Sequence, residues 1–244
     1  LKVSINPEIL QIANIEIDVV RKDIKNMYLA VYPPLGRIRL AVPQKTDEEV
    51  LRLFAISKLG WIKKHVKNFK EQARETKRDY LTGESHFFQG KRYILEVKEE
   101  EGYSKVYVNG TKKISFRVPK GASIEFKARV MKEWYRKQLK IQIPPLIEKW
   151  EKVIGVKTND WGVKQMKTKW GACNVYPKRI WLNLELAKKP PVCLEYILVH
   201  ELVHLHEKNH NDRFITLMNE FMPKWRLHRN ELNNLPIVHN DWGY

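Results

Sequence analysis

Long stretches of the first 120 residues alternate between apolar and polar side chains, which is typical of strands with one buried face. The alternation is clearest in IEIDVV (15–20), RIRLAVP (37–43) and RYILEV (92–97). Asn109-Gly110 lies between two further alternating stretches and is a strong signal for a two-residue hairpin turn. These patterns predict a small antiparallel β unit.

One part of this region has helical spacing instead. Thr46 and Glu49 have the spacing of a capping box, in which two side chains satisfy free backbone N–H groups at the start of a helix. One face of the predicted helix carries basic side chains at regular intervals: Lys63, Lys67, Lys70, Arg74 and Lys77. This basic stripe is either the solvated face of an amphipathic helix or a ridge that follows nucleic-acid phosphates.

A second long helix is predicted after residue 121. Its apolar positions continue to about Ile143, where Pro144 and Pro145 should break it, because proline lacks the amide hydrogen that a helix interior needs. A shorter helix should then end at Gly155, since glycine is common just beyond a helix end. No internal repeat is visible in the sequence.

A hairpin and a buried helix follow. Two strands are predicted within 163–175 and 179–186, and Pro190-Pro191 suits the start of the next helix. This helix is apolar almost all round, which predicts that it is buried. Any imidazole on it therefore needs a partner inside the protein.

Composition and charge narrow the class of protein. The chain has 244 residues, 43% of them hydrophobic, and a formal net charge of +17. A positive surface of this kind favours acidic or nucleic-acid partners. No apolar run approaches the roughly 18 residues of a membrane-spanning helix, no signal-peptide pattern is visible, and two cysteines outside any metal-binding pattern fit a reducing compartment. We therefore expect a cytoplasmic protein without membrane contact.

The strongest chemical signal is HELVHLHEKNH at 200–210. His200 and His204 lie one helical turn apart and can share a metal ion, and His210 is far enough along the chain to return as a third ligand. Glu201 can reach a water molecule in the fourth coordination position. The motif therefore predicts one catalytic Zn²⁺ per chain, with Glu201 as general base. His206 points away from this site and is expected at the surface.

The hairpin before this helix suggests where a substrate binds. We expect the strand at Arg179–Leu184 to lie at the edge of its sheet, where unpaired backbone groups can pair with an extended peptide. Trp170, Trp181 and Asn183 are then the candidate substrate-binding residues. A peptide or protein substrate is the predicted partner of this site.

Two other functions remain open on these residues. One is a nucleic-acid-binding module with a structural zinc, which needs a fourth protein ligand such as Cys173 or Asp241 and leaves Glu201 without a role. The other is a zinc hydrolase that cleaves non-peptide amides or esters with the same site.

Several stretches of the chain resemble the YgjP-like metallopeptidase family, which has a WLM-like catalytic domain and is more distantly related to SprT-type proteases. They are AVPQKTDEEVLRLFAISKLGWIKKH, YLTGESHFFQGKRYILEV, KTKWGACN with IWLNLEL, HELVHLHEKNH with Phe214, and MPKW. The family pattern usually contains R-W-G-S-C, where this chain has Lys169 and Ala172.

This resemblance implies a zinc-dependent hydrolase in which the three histidines of the motif bind the metal and Glu201 is the general base. It also completes the fold prediction, which is α+β. An N-terminal antiparallel β unit with a long helix is expected over 1–120. A zincin-like domain is expected over 121–244, with the H-E-x-x-H helix packed beside an antiparallel sheet.

Overall fold

The computed structural model of the protein describes residues 8–32, 36–71, 78–166 and 169–234, with residues 68–71 and 234 described in the backbone only. The described residues form two compact units, one before residue 72 and one from residue 78 onward. This division differs from the predicted one at 120/121. The reason is that Phe88, Leu95 and Phe116 share one apolar core with Leu139 and Leu198, so the strands before residue 120 belong with the helices after it.

The first unit is a four-stranded sheet with two helices. Its elements are β1 (Glu8–Ile12), β2 (Ile15–Lys22), β3 (Tyr28–Tyr32), β4 (Arg37–Pro43), α1 (Glu48–Ser57) and α2 (Leu59–Glu71). Alternating residues such as Val19 and Leu40 point inward and share an apolar core with Leu51 of α1. Asp47, rather than Thr46, caps α1 by accepting a hydrogen bond from the backbone N–H of Glu49.

The second unit begins with a sheet of the same design. Its strands are β5 (Ser85–Phe88), β6 (Lys91–Glu99), β7 (Lys105–Asn109) and β8 (Lys113–Val118). The strand order β1-β2-β4-β3 is repeated as β5-β6-β8-β7. Elements of the second copy start 76 or 77 residues later, with an offset of 76 in the pairs Ile15 and Lys91, Arg37 and Lys113, and Glu48 and Ile124. The structure therefore contains an internal repeat that the sequence does not reveal.

Neither four-stranded sheet is purely antiparallel, so that part of the fold prediction is wrong. The central pairs β2–β4 and β6–β8 are parallel, while the outer pairs are antiparallel. In each sheet the third strand along the chain lies at the edge and pairs with the fourth. The second and fourth strands are therefore neighbours and run in the same direction. Local alternation predicts strands but not which strand lies next to which. The hairpin predicted at Asn109-Gly110 is confirmed, but its turn is not the predicted two-residue one: Asn109 is the last residue of β7 and pairs with Lys113, so residues 110–112 form the loop.

The two prolines do not end the long helix of the second unit, contrary to the prediction. Helix α3 runs without interruption over Ile124–Ile154 and contains Pro144 and Pro145. Both prolines are exposed, so the carbonyl groups that lose their helical hydrogen bonds can bond to water instead. Buried residues continue on the other face on both sides of the prolines, for example Ile143 and Ile147. This packing outweighs the cost of the prolines.

The remaining elements form the part of the fold that carries the H-E-x-x-H motif. They are β9 (Asp160–Lys164), β10 (Gly171–Asn174), β11 (Arg179–Asn183), a 3₁₀ helix (Leu184–Lys188), α4 (Pro191–Val203), α5 (Asp212–Phe221) and α6 (Trp225–Asn234). The small sheet has the order β10-β11-β9, with β9 parallel to β11. The prediction that strand 179–184 is an edge strand is therefore wrong, because β11 lies in the middle and β10 forms the edge.

The α+β class is confirmed by these six α-helices and three sheets among the described residues. None of the described helices is both long enough and apolar enough to cross a membrane.

Candidate metal centre

Helix α4 carries the first part of the candidate site. Pro191 is its first residue, where a missing N–H costs nothing. Most of the following side chains of the helix are buried and apolar, for example Leu198 and Leu202. His200 and Glu201 lie near its end, and His204 is its C-terminal cap residue. Because most of its side chains are packed in the core, the helix is held in a fixed position, which a site with defined geometry requires.

The structure brings the three histidines of the motif together. Their nearest ring nitrogens all lie within 4.8 Å of one another, in a cluster formed by His200, His204 and His210. The Nε2 atoms of His200 and His210 are 2.9 Å apart. In the tautomer in which one of them carries a proton these two nitrogens share a hydrogen bond, and their separation is also close to the roughly 3.3 Å between neighbouring nitrogens of a tetrahedral zinc site. The donor set therefore fits a divalent metal such as zinc.

Neighbouring groups orient the imidazole rings. The Nδ1 atom of His204 lies 3.0 Å from the carbonyl oxygen of Glu207 and can donate to it, which leaves Nε2 free for a metal. The ring of Phe214 packs against all three imidazoles, with centroid distances of 4.7–4.9 Å. Asn211 positions Phe214 in turn, because its side chain accepts the Phe214 N–H and caps α5.

The electrostatic environment favours the form of histidine that binds metals. Burial, followed by the neighbouring His204 and His210, lowers the pKa of His200 to about 3. Burial also lowers the pKa of His204. These imidazoles are therefore neutral near pH 7, and only a neutral imidazole has a lone pair to give to a metal.

Glu201 is a buried carboxyl group beside this cluster. Its side chain is 5% exposed, and burial raises its pKa to about 8, although the charge of Lys169 acts in the opposite direction. A cation held by the histidines would act in the same direction as Lys169 and favour the carboxylate form. Glu201 thus has the environment of a group that exchanges a proton near neutral pH.

An open cleft joins these residues to solvent. Its volume is about 780 Å³, and the histidines and Glu201 form one wall. Strand β10 and the turn after it, residues 171–177, also line the cleft. Lys169, Trp170, Ile197 and Lys208 complete the lining.

The three residues predicted to bind substrate have different positions. Trp170 lines the cleft. Trp181 does not line it, and the ring instead lies under the cations of Lys164 and Arg179, at 4.5 and 4.2 Å. Asn183 is buried and holds the chain that leads into β10, since its Nδ2 donates to the carbonyl oxygens of Met166 (3.1 Å) and Lys169 (2.8 Å).

The basic stripe predicted for nucleic acid belongs to the first unit. Lys63 and Lys67 lie on α2 and are exposed. Lys70 is part of the same helix, but its side chain lies outside the described residues, as do Arg74 and Lys77 altogether. The stripe therefore stays a prediction.

Sequence reasoning missed several contributors to the site. It did not identify β10 as the wall of the cleft, nor Phe214 as the common support of the imidazoles. The T-K-W-G-A-C stretch that leads into β10 was a usable signal, because small residues in a strand often mark a close approach by another group. Phe214 lies four residues after His210, which offered a second signal.

The geometry defines the class of the site: three histidines converge beside a buried glutamate in an open cleft. Cys173 is not part of the cluster, and Asp241 lies outside the described residues. The chain belongs to the YgjP-like family, whose metallopeptidase-domain model matches residues 25–235. No curated protein and no solved structure matches the chain. The chain is thus a member of a metallopeptidase family with a candidate metal site.

Proposed function

We propose that the protein is a zinc-dependent peptidase that hydrolyses peptide bonds in the cleft between α4 and β10. The observation that carries the proposal is the convergence of three histidines beside Glu201 in an open cleft of about 780 Å³. Membership of a metallopeptidase family supports the same conclusion.

His200, His204 and His210 would hold the zinc ion, each through one ring nitrogen. When bound there, zinc supplies Lewis-acid chemistry, which polarises the scissile carbonyl group and lowers the pKa of water. Three protein ligands leave one position open, which is typical of catalytic rather than structural zinc sites. The contact from His204 Nδ1 to the Glu207 carbonyl would fix the ring tautomer and orientation.

Glu201 is the general base in this proposal. Its carboxylate accepts a proton from the attacking water and then gives it to the nitrogen of the leaving amine. A pKa near the working pH suits a group that must both accept and donate, and burial moves the pKa of Glu201 in that direction.

The free edge of β10 is the proposed binding site for the substrate backbone, in place of β11. Among the described residues β10 pairs only with β11, so its other edge has backbone groups available for an extended peptide. The residues of β10 also line the cleft that contains the histidines. Backbone pairing there would place a peptide bond alongside Glu201.

The two alternative functions make different demands on the site. A structural zinc in a nucleic-acid-binding module needs a fourth protein ligand, and the cluster among the described residues contains only histidines. A hydrolase of amides or esters uses the same chemistry on a different substrate, so a comparison of substrates separates it from a peptidase.

The test uses the variant Glu201→Gln with an unfolded protein such as casein as substrate. We expect zinc content to stay at one per chain and kcat to fall by roughly 10²–10⁴-fold, because a carboxamide cannot accept the proton. Glu195→Gln is the matched control, since Glu195 lies on the same helix but bonds to Lys149 and Trp150 outside the cleft. Equal activity of wild type and Glu201→Gln would contradict the proposal. Cleavage of small esters without cleavage of peptides would favour the alternative hydrolase.

A further inference from the structure

Within the described part of the chain, packing and not hydrogen bonding holds the Glu201 carboxylate. Neither a hydrogen bond nor an ion pair to this carboxylate occurs among the described residues. A general base nevertheless needs a fixed position, because a displacement of about 1 Å can reduce the rate roughly 100-fold. Close packing must therefore provide the positioning.

The closest neighbour in this packing is Gly171, the first residue of β10. A Cβ atom at this position would lie 2.5 Å from Oε1, 2.8 Å from Cγ and 2.9 Å from Cδ of Glu201. All three distances are shorter than any ordinary carbon contact. Only a residue without a side chain leaves room for Glu201 where it stands.

The lack of room for a side chain, and not the backbone conformation, is the reason for a glycine at this position. Gly171 is absent from the described residues with positive φ, so an alanine could adopt the same backbone. The backbone cannot easily move away, because Gly171 pairs with Leu182 in the β10–β11 ladder. The neighbouring carbonyl of Trp170 also accepts the N–H of Asn183 at 2.9 Å. The Glu201 side chain is thus the part that would have to shift.

We propose that Gly171 is a positioning residue for the reaction: its bare backbone forms the surface against which the Glu201 carboxylate is held beside the three histidines. This inference rests on the proposed function of Glu201. The glycine of the T-K-W-G-A-C stretch thus has a specific role. Because it has no side chain, the strand that lines the cleft can also contact and support the general base.

The kinetic test compares Gly171→Ala with wild type. We expect kcat to fall roughly 100-fold, with zinc content unchanged and with little change in KM. In the Glu201→Gln background the same substitution should have no further effect on kcat, because the base that it displaces is already lost. An additive loss of kcat in that background would overturn the proposal, as would wild-type kcat in Gly171→Ala alone.

Gly162→Ala is the matched control for general damage to the sheet. Gly162 lies in β9 of the same sheet, and a Cβ atom there would lie 2.5 Å from the ring of Trp181, which does not line the cleft. The shortest distance is therefore the same as at Gly171, but the conflict involves Trp181 and not Glu201. We expect kcat to be retained in this variant, and a loss equal to that of Gly171→Ala would overturn the proposal.

A stability measurement tests the contact independently of activity. We expect Gly171→Ala to lower the midpoint of thermal unfolding in the wild-type background but not in Glu201→Ala, where the conflicting Cγ, Cδ and Oε1 atoms are absent. An equal loss in both backgrounds would overturn the contact. If the protein hydrolyses no peptide at all, the proposed function fails, whereas this stability coupling still reports on the contact.

Discussion

The two four-stranded sheets of the protein have the same strand order but very different interiors. The core of the first unit, as far as it is described, is entirely apolar. Buried polar or charged side chains among the described residues all belong to the second unit: His86, Ser115, Lys127, Asn183, Glu185, Lys189 and Glu201. The unit that contains the candidate site is thus the one whose interior departs from apolar packing.

Equivalent positions of the two sheets and their first helices show this difference between the two cores. Leu10 and Leu51 are buried in the first unit, and the residues 76 positions later are the buried His86 and Lys127. Each buried polar group has a carboxylate partner, with His86 Nε2 3.3 Å from Glu84 and Lys127 Nζ 3.4 Å from Glu99. His86, whose pKa is lowered to about 4 by burial, is neutral near pH 7, so only Lys127 forms an ion pair with its carboxylate there, and such pairs rarely add stability over apolar packing. The comparison teaches that one strand arrangement is compatible both with an apolar core and with a core that contains buried polar side chains.

The largest expected difference between the units follows from removal of the metal. We expect His210→Ala, or treatment with a chelator, to abolish zinc binding and hydrolysis. Zinc at about 100 times its Kd stabilises the state that binds it by about 2.7 kcal/mol, so this stabilisation should be lost in the second unit only. Hydrogen exchange of peptides from 190–222 should accelerate, while peptides from 8–32 keep their protection. Equal acceleration in both regions would mean that the two units unfold as one.

Core truncation at equivalent positions should separate stability from activity. Leu40 and Phe116 are fully buried at matching positions, and their replacement by alanine should cost about 2–5 and 3–5 kcal/mol, respectively. Phe116 shares its core with α4, so Phe116→Ala should also shorten the half-life of the hydrolytic activity on heating. Leu40→Ala should leave that half-life unchanged. Loss of activity in both variants would remove the distinction between the units.

Acid should destabilise the second unit through His86. Burial, followed by the charge of Arg78, lowers the pKa of His86 to about 4, whereas an unfolded histidine has a pKa near 6.5. Between these values the unfolded state binds a proton that the folded state does not, so the free energy of unfolding falls as the pH drops from 6.5 toward 4. His86→Leu, which introduces the residue type of Leu10, should reduce this fall by on the order of 2 kcal/mol. Denaturant unfolding at pH 7 and pH 4.5 measures it, and equal falls in both proteins would exclude His86 as the cause.

The smallest effect concerns the basic stripe of the first unit. If Lys63 and Lys67 contact phosphates, their reversal to glutamate should reduce the slope of log affinity for duplex DNA against log salt by about 2. Reversal of Lys132 and Lys137, which are exposed on α3, is the control and should leave the slope unchanged. Hydrolysis should be unaffected by either pair. Equal reductions from both pairs, or no DNA binding by the wild type at low salt, would show that α2 is a solvated helix face.

Local sequence by itself determined much of the protein. Alternation predicted the strands of the two four-stranded sheets except β1 (Glu8–Ile12), Asn109-Gly110 predicted a hairpin, and the apolar composition of 192–205 predicted a buried helix. The spacing of His200 and His204 depends only on the period of the helix, so their common face was predictable, with Glu201 about 100° round the helix from His200. These features depend on neighbours in the chain, which the sequence displays directly.

Other features depended on contacts between distant residues, and only the tertiary structure decided them. The parallel strand pairs, the position of β11 in the middle of its sheet and the continuity of α3 through Pro144 and Pro145 all result from packing between separate elements. The approach of Gly171 to Glu201 joins residues 30 positions apart. Helical and strand periods constrain each element alone, whereas the free energy of burial depends on which elements meet, and that choice is made only when the chain folds.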